Sequence, residues 1–255
     1  MRFNGKTAIV TGAGQGIGFD ICRRLVAEGA TVILNDLDDS LAANAAKKIN
    51  EETNGVCIAV PGDSSETECI EKMIDKAVHE SGKIDIAIAN AGITLFGDFF
   101  TYTRDAFFKV MEVNLGGSFF LSQAAANQMK KQQSGGSILL TSSVTGHQAH
   151  KHLAAYGMSK AAIEMLAKNL VVDLSAFGIN INTIAPGATL TERTLDDLDY
   201  ERVWSKITPM GRPAGVSDIS EAALFLVSPQ AKHITGQSLV VDGGWTSVSP
   251  SPFDV

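Results

Sequence analysis

Residues 7–18 read Thr-Ala-Ile-Val-Thr-Gly-Ala-Gly-Gln-Gly-Ile-Gly, and this stretch predicts a buried strand that turns directly into a helix. Glycines stand at positions 12, 14, 16 and 18 of the turn. Glycine tolerates positive φ and lets a phosphate approach the backbone, while unpaired N–H groups at a helix N-terminus attract anions. The spacing departs from the Gly-x-Gly-x-x-Gly dinucleotide fingerprint. Taken alone, the turn is equally compatible with phosphate binding and with tight packing of strand against helix.

Six further short apolar runs follow this strand, and longer amphipathic segments separate them. The runs cover residues 31–35, 56–60, 84–89, 137–141, 179–184 and 238–241. The amphipathic segments predict helices over residues 17–29, 40–53, 66–81, 104–132, 154–177 and 216–228. Near-continuous apolar strands joined by crossover helices are typical of a parallel sheet that is covered on both faces. The sequence therefore predicts one doubly wound α/β domain over residues 1–255.

Two segments depart from this alternation. Residues 189–213 contain Tyr200 and Trp204 among acidic side chains and end in a Pro/Gly-rich stretch, a composition that suits a partly helical flap over a cleft. The tail, residues 246–255, carries two prolines and is not expected to extend the last strand. We expect the tail either to be loose or to pack against a neighbouring subunit.

Composition and charge exclude several classes of protein. Charged residues make up 19% of the chain and hydrophobic residues 45%, a balance that favours neither disorder nor a membrane protein. The net charge of −7 argues against nucleic acid as the main partner, because a duplex-binding surface needs a basic stripe. No apolar run approaches the roughly 20 residues of a membrane-spanning helix. Three cysteines without metal-ligand spacing, and a start without a signal peptide, predict a cytoplasmic protein.

Acidic and amide side chains follow the strands at the edge where a doubly wound sheet binds ligands. Asp36 closes the second strand about 20 residues after the glycine turn, where a carboxylate accepts hydrogen bonds from an adenosine ribose. A carboxylate there repels a 2′-phosphate, so we expect NAD rather than NADP; helix capping is the alternative role. Asp63 follows the third strand and is expected either to meet the adenine or to cap the next helix. Asn90 follows the fourth strand and is expected to brace the loop.

Three polar residues after the fifth strand supply the groups that a ketone–alcohol conversion needs. Hydride transfer to a ketone leaves an alkoxide that must be protonated, so an acid/base group has to lie beside that oxygen. Tyr156 qualifies if a cation lowers the pKa of its phenol, and Lys160 lies one helical turn further on the same face. Ser143 ends the fifth strand, in a position to donate to the substrate oxygen. A Tyr-x-x-x-Lys spacing by itself is more often a solvated helix pair.

The order and spacing of motifs along essentially the whole chain resemble those of the short-chain dehydrogenase/reductase family. The matching motifs are Gly12-x-x-x-Gly16-x-Gly18, Asn90-Ala91-Gly92, Val113-Asn114-Leu115, Ser142-Ser143, Tyr156-x-x-x-Lys160, Pro186-Gly187 and Val241-Asp242-Gly243-Gly244. The resemblance implies a Rossmann-like, seven-stranded parallel sheet with helices on both faces. It also implies a homotetramer, with the long helices 104–132 and 154–177 at one interface.

The same resemblance implies roles for individual residues. By similarity, Tyr156 is the acid/base, Ser143 polarises the substrate oxygen, and Asn114 takes part in a proton relay. Lys160 is expected to bind the nicotinamide ribose and to lower the pKa of the phenol. Thr189 and Thr191 resemble the segment that contacts the nicotinamide carboxamide, although starting the flap is an alternative for Thr191. The predicted cofactor-binding residues are Gly12, Gln15, Gly16, Ile17, Gly18, Asp36, Asp63, Asn90, Tyr156, Lys160, Pro186, Gly187, Thr189 and Thr191.

The substrate is the least constrained part of the prediction. Residues 145–152 contain three histidines, but no cysteine or acidic ligand accompanies them, so we expect no metal site. His147, His150 and Trp204 are predicted to face a polar small-molecule substrate. The leading activity is NAD-dependent interconversion of a secondary alcohol, sugar or polyol and its ketone. The alternatives are a reductase of 3-oxoacyl thioesters and a catalytically silent NAD-binding sensor.

Overall fold

Residues 1–249 are described by the structure, a computed structural model, so the part of the predicted tail from residue 250 onward lies outside it. The strands are β1 (Thr7–Val10), β2 (Thr31–Leu34), β3 (Val56–Ala59), β4 (Ile86–Ala89), β5 (Gly136–Thr141), β6 (Ile179–Pro186), β7 (Thr189–Leu190), β8 (Ala214–Gly215) and β9 (Ser238–Val241). The α-helices are α1 (Gly16–Ala27), α2 (Asp39–Thr53), α3 (Thr67–Ser81), α4 (Arg104–Val110), α5 (Gly117–Gln132), α6 (Ala154–Leu174), α7 (Tyr200–Ile207) and α8 (Val216–Val227).

Seven of these strands pair in parallel, in the order β3-β2-β1-β4-β5-β6-β9. The chain first builds outward from β1 to β3 and then crosses back to β4, so the direction of winding reverses between β1 and β4. In an open α/β sheet, ligands bind at the carboxyl ends of the strands beside such a reversal. The predicted seven-stranded, doubly wound parallel sheet is confirmed.

Helices cover both faces of the sheet, because alternate residues of each strand point to opposite sides. Ala8 and Val10 of β1 join a core with apolar side chains of α1, α2 and α8, whereas Ile9 joins a second core with α3, α5 and α6. The cysteines Cys22, Cys57 and Cys69 are buried in these cores. In the described residues, no helix is both long enough and apolar enough to cross a bilayer.

Two local features differ from the predicted element pattern. The predicted helix 104–132 is divided by a π-helical segment, Met111–Gly116, which joins α4 to α5. The two-residue strand β7 begins the predicted flap, and β8 directly follows it. These two strands pair in parallel and form a separate small sheet. Single π-helical turns often occur at functional sites, and this one contains Asn114.

Candidate active site

The glycine turn lies at the reversal point between β1 and β4. Gly12 has a φ of +59°, and a Cβ atom at this position would lie 2.6 Å from the Cα atom of Ala91. The side-chain amide of Asn90 donates to the carbonyl oxygens of Thr11 at 3.1 Å and of Gly12 at 2.8 Å. A larger residue than glycine is therefore excluded at position 12 by both conformation and space. The amide of Asn90 holds the turn in place.

A cavity of about 340 Å³ opens beside this turn. Its wall reaches from the glycine turn, past the ends of β4 and β5, to the start of α6 and the flap. The predicted site residues that line it are Gly12, Gln15, Gly16, Ile17, Gly18, Asp36, Asn90, Ser143, Tyr156, Lys160, Pro186, Gly187, Thr189 and Thr191. One cavity therefore contains both the glycine turn and the predicted proton-transfer residues.

Tyr156 and Lys160 lie one turn apart on α6, and Ser143 follows β5. The Lys160 side chain is buried, and its Nζ donates to the carbonyl oxygen of Thr141 at 2.7 Å. The same Nζ lies 5.5 Å from the centre of the Tyr156 ring. The Ser143 hydroxyl accepts a hydrogen bond from the N–H of Thr145 at 3.2 Å. The phenol of Tyr156 and the hydroxyl of Ser143 both lie in the cavity wall, where a substrate oxygen can contact them.

The protonation equilibria of the pair differ from the sequence prediction. Burial lowers the pKa of Lys160 from 10.5 to about 8, because the ammonium loses solvation in the interior. Burial also raises the pKa of the Tyr156 phenol above 10.0, although the nearby hydroxyls of Ser143 and Thr94 and the charge of Arg193 act in the opposite direction. Lys160 is not among the groups that lower the pKa of this phenol.

Asn114 is fully buried in the π-helical segment and does not itself line the cavity. Its Oδ1 accepts from the N–H of Ile93 at 2.8 Å, and its Nδ2 donates to the carbonyl oxygen of Ile93 and to the hydroxyl of Ser159, both at 3.1 Å. The amide thus joins the loop after β4 to the helix that carries Tyr156 and Lys160. A Cβ atom on Gly92 would lie 3.3 Å from both Asn114 Oδ1 and Lys160 Nζ, so Asn114 and Lys160 lie close to the same loop.

The three aspartates after β2 and β3 have different surroundings. Asp36 lines the cavity, and its carboxylate accepts from the N–H of Gly14 at 2.9 Å. Asp38 caps α2 by accepting from the N–H of Leu41 at 2.9 Å. Asp63 lies outside the cavity lining, where it accepts from Ser65 and lies 3.4 Å from the ammonium of Lys109. Helix α3 begins at Thr67, so Asp63 is not its N-cap residue either.

The segment 189–213 lies along the open side of the cavity. A Cβ atom on Gly16 would lie 3.6 Å from Cγ2 of Thr191, so the start of the segment lies over the glycine turn. The hydroxyl of Tyr200 accepts from the N–H of Thr189 at 3.2 Å and lines the cavity. Trp204 packs instead between Tyr200 and Trp245, with ring centres 6.0 and 5.4 Å away, and does not line the cavity. Of these two aromatic residues, Tyr200 lines the cavity and Trp204 does not.

The two histidines predicted to face the substrate lie outside the cavity lining. The Nε2 atom of His147 lies 2.8 Å from Oε1 of Glu164 and 3.4 Å from the hydroxyl of Ser238. His150 is exposed, with Nδ1 3.3 Å from the carbonyl oxygen of Lys151. Within residues 1–249, no three His, Cys, Asp or Glu side chains are grouped so that they can hold a metal ion.

The cavity lining also contains residues that the sequence did not single out as site residues, among them Thr94, Arg193 and Tyr200. Thr94 follows the Asn90-Ala91-Gly92 motif at the carboxyl end of β4, so its place in the chain is a usable signal. Arg193 and Tyr200 lie in the irregular segment 189–213, where no periodicity indicates which side chains point inward.

Comparison with known proteins places the chain in a family. A family model described as enoyl-(acyl carrier protein) reductase matches residues 12–246. An L-rhamnose-1-dehydrogenase from Scheffersomyces stipitis is 36% identical over 248 residues, which cover 94% of this chain and 96% of that protein. The chain belongs to the short-chain dehydrogenase/reductase family. Membership places it among the oxidoreductases.

Two solved structures of short-chain dehydrogenases share the fold over nearly the whole chain. Gluconate 5-dehydrogenase from Burkholderia cenocepacia, in complex with NADP and tartrate, has a TM-score of 0.90 and 34% identity and covers 97% of this chain and 98% of its own. A 7α-hydroxysteroid dehydrogenase, complexed with NADH and 7-oxo-glycochenodeoxycholic acid, has a TM-score of 0.90 and 35% identity and covers 95% of both chains. Relatives of similar likeness therefore differ in both nicotinamide form and substrate.

Proposed function

We propose that this protein interconverts a secondary alcohol and its ketone, using NAD and proton transfer by Tyr156. The observation that carries the proposal is the cavity in which Tyr156, Ser143 and Lys160 face the same space as the glycine turn. Hydride transfer needs a nicotinamide at one point of such a cavity and an acid/base group beside the reacting oxygen. A silent NAD-binding sensor needs only the glycine turn, so the retained tyrosine, serine and lysine argue for the enzyme.

The residues present fit a nicotinamide dinucleotide. The N-terminus of α1 and the glycine turn suit a pyrophosphate, and Gly16 has a φ of +63°, a backbone conformation that favours glycine. The carboxylate of Asp36 suits the hydroxyls of an unphosphorylated ribose and repels a 2′-phosphate, which favours NAD over NADP. When bound, the nicotinamide supplies or accepts the hydride. Thr189 and Thr191, with Pro186 and Gly187, are the proposed contacts of its carboxamide end.

The protein's own groups handle the substrate oxygen and the proton. The Ser143 hydroxyl orients the oxygen by donating a hydrogen bond, and the Tyr156 hydroxyl gives or takes the proton at that oxygen. Because burial raises the pKa of the phenol, Tyr156 keeps its proton at neutral pH and is ready to act as an acid toward a ketone. Alcohol oxidation requires the opposite protonation state. Lys160 is the proposed cation for the nicotinamide ribose, and Asn114 holds the loop and helix that flank it.

We propose a sugar, polyol or related hydroxy compound as the substrate class. The rhamnose dehydrogenase and the gluconate dehydrogenase support this class, as do the hydroxyl-bearing cavity residues Ser143, Thr94 and Tyr200. A 3-oxoacyl-thioester reductase is the second candidate, and the description of the matching family model as a carrier-protein reductase favours it. The segment 189–213 is the proposed flap over the substrate.

The protein is also proposed to be a cytoplasmic homotetramer. Large apolar side chains stay exposed on the outer faces of α5 and α6, namely Phe119, Phe120, Met165 and Val172. Exposed apolar patches of this kind mark interaction surfaces. Light scattering tests the assembly, and a monodisperse monomer contradicts it.

The function is tested by a spectrophotometric screen that follows formation or loss of the reduced nicotinamide. Polyols, sugars, hydroxy acids and 3-ketoacyl analogues are offered with NAD(H) and with NADP(H). Tyr156→Phe is the matched variant, because it removes one oxygen from the cavity and keeps the ring. It should bind the dinucleotide with a Kd close to wild type and lose nearly all turnover. Turnover within about tenfold of wild type, equivalent to about 1.4 kcal/mol of barrier, contradicts acid/base catalysis by Tyr156.

A further inference from the structure

Glu164 lies directly behind the catalytic serine loop, and neither the proposed reaction nor the cofactor site uses it. It follows Lys160 by one turn of α6 and Tyr156 by two, so the three side chains lie on one side of the helix. Its side chain is only 11% exposed. A carboxylate this deeply buried is costly unless hydrogen bonds compensate for its lost solvation. The contacts that compensate it indicate what it does.

One carboxylate oxygen, Oε1, holds both ends of the segment that contains Ser143. The Ser142 hydroxyl donates to it at 2.7 Å, and the Nε2 atom of His147 lies 2.8 Å from it. The Ser142 hydroxyl also contacts the carbonyl oxygen of Lys160 at 3.1 Å, which places Ser142 against the helix backbone. Hydrogen bonds to an ionised carboxylate are short and roughly twice as strong as neutral ones.

The catalytic serine is thereby enclosed between two anchors. Ser142 precedes Ser143 directly, and His147 ends the short 3-10 helix Val144–Gly146 that follows it. Both anchors are attached to α6, the helix that carries Tyr156. The distance between the Ser143 and Tyr156 hydroxyls therefore depends on contacts made by a residue that lies outside the cavity lining.

We infer that Glu164 is a positioning residue that sets Ser143 at its working distance from Tyr156 by holding Ser142 and His147. It touches neither substrate nor dinucleotide and acts through the serine loop. The inference rests on the proposed function, because a working distance has meaning only if Ser143 and Tyr156 act on one oxygen. It also explains why His147, between the serine and the tyrosine in sequence, points away from the cavity.

The test compares Glu164→Ala and Glu164→Gln, each alone and combined with Ser143→Ala. A misplacement of about 1 Å in a catalytic group costs up to about 100-fold, so Glu164→Ala should lower kcat by about 10- to 100-fold. Its Kd for the dinucleotide should stay close to wild type. Glu164→Gln keeps an oxygen that can accept from Ser142 and should recover most of the loss. Asp173→Ala, which removes an exposed carboxylate from the same helix, is the matched control with wild-type kcat.

The combination with Ser143→Ala separates positioning from general support of the fold. If Glu164 acts through Ser143, Glu164→Ala should cost nothing further once the Ser143 hydroxyl is gone. If Glu164→Ala does not fold, Ser142→Ala carries the same test, since it removes one anchor and leaves the carboxylate with His147.

Three results overturn the inference while leaving the proposed function intact. These are wild-type kcat in a folded Glu164→Ala or Ser142→Ala variant, an equal loss in the presence and absence of Ser143, and a dinucleotide Kd that weakens in step with kcat. Absence of turnover in the wild-type protein across the substrate screen is a different result. It overturns the proposed function and the inference together.

Discussion

The buried charge of Lys160 should lower the free energy of unfolding at neutral pH. A comparison of wild type with Lys160→Met measures the size of this effect. The side chain is 3% exposed, and its ammonium donates to the carbonyl oxygen of Thr141. A pKa that falls from 10.5 to about 8 on folding corresponds to a penalty of about 3 kcal/mol for the buried charge at neutral pH. Methionine has a similar length and carries no charge, so it removes the penalty while largely filling the same space.

The sign of the pH dependence follows from which state binds the proton more tightly. Between about pH 8 and pH 10.5 the unfolded chain keeps the Lys160 proton and the folded protein releases it, so the free energy of unfolding rises with pH. The penalty is complete below this range and absent above it. Lys160→Met lacks this contribution at every pH. From about pH 7 to about pH 9.5, the wild type should therefore gain about 2 kcal/mol relative to the variant.

Both proteins are unfolded in urea at each of the two pH values, and circular dichroism monitors the transition. The free energies of unfolding then give the change in relative stability directly. Taking the difference between variant and wild type cancels the titration of all other groups that the substitution does not affect. Lys168→Met, which removes an exposed lysine two turns further along α6, is the control and should keep the wild-type pH dependence. Stability differences that stay constant between the two pH values would refute the account of Lys160 as a charge stabilised poorly by its surroundings.

Three further substitutions test the cofactor half of the cavity. Asp36→Asn keeps an acceptor for the N–H of Gly14 and removes the negative charge. The ratio of kcat/KM with NADP to kcat/KM with NAD should therefore rise at least about tenfold. An unchanged ratio contradicts the proposed contact of Asp36 with the ribose. Gly18→Ala would place Cβ 2.5 Å from the carbonyl oxygen of Gly12 and should abolish dinucleotide binding. The control Gly82→Ala meets no atom within 4 Å, so it should leave the Kd unchanged, although its φ of +76° should make the folded protein less stable. Tyr200→Phe removes the hydroxyl that accepts from the N–H of Thr189 and so frees this N–H for the dinucleotide. Because the lost hydrogen bond contributes about 1 kcal/mol, dinucleotide binding should tighten about fivefold in a titration. Weaker binding would indicate that the hydroxyl itself contacts the dinucleotide.

Strand positions were predictable because the sheet is buried on both faces. A strand such as β1 is then buried along its whole length, and its sequence shows a short run of mostly apolar residues. The π-helical segment Met111–Gly116 was not predictable in this way, because the pattern of apolar residues that marks a helix does not distinguish i→i+5 from i→i+4 hydrogen bonding over a single turn. Strands β7 and β8 have two residues each, too few to show any period.

Proximity along the chain was a poor guide to which side chains enter the cavity. His147 lies between Ser143 and Tyr156 in the sequence, and this place in the chain predicted that its side chain faces a substrate. A buried carboxylate on α6 provides a nearer partner, and the ring turns toward Glu164 instead. The sequence contains both residues, but their pairing depends on how the loop folds back over the helix. Tyr200 and Trp204 of the flap are a second example, because they lie four residues apart and have different surroundings. Tyr200 lines the cavity, whereas Trp204 packs on Trp245.

The two halves of α6 are held by different forces, and this division separates function from stability. The C-terminal half is fixed by apolar packing of Ala167, Leu170 and Leu174 into the core. The N-terminal half is fixed by polar contacts, from Asn114 to Ser159 and from Lys160 to the end of β5. Buried polar and charged groups contribute little net stability and often cost some, but their directional bonds fix geometry more narrowly than apolar contacts do. The polar contacts of Ser159 and Lys160 therefore fix the part of the helix that faces the cavity, an arrangement that active sites often keep at some cost in stability.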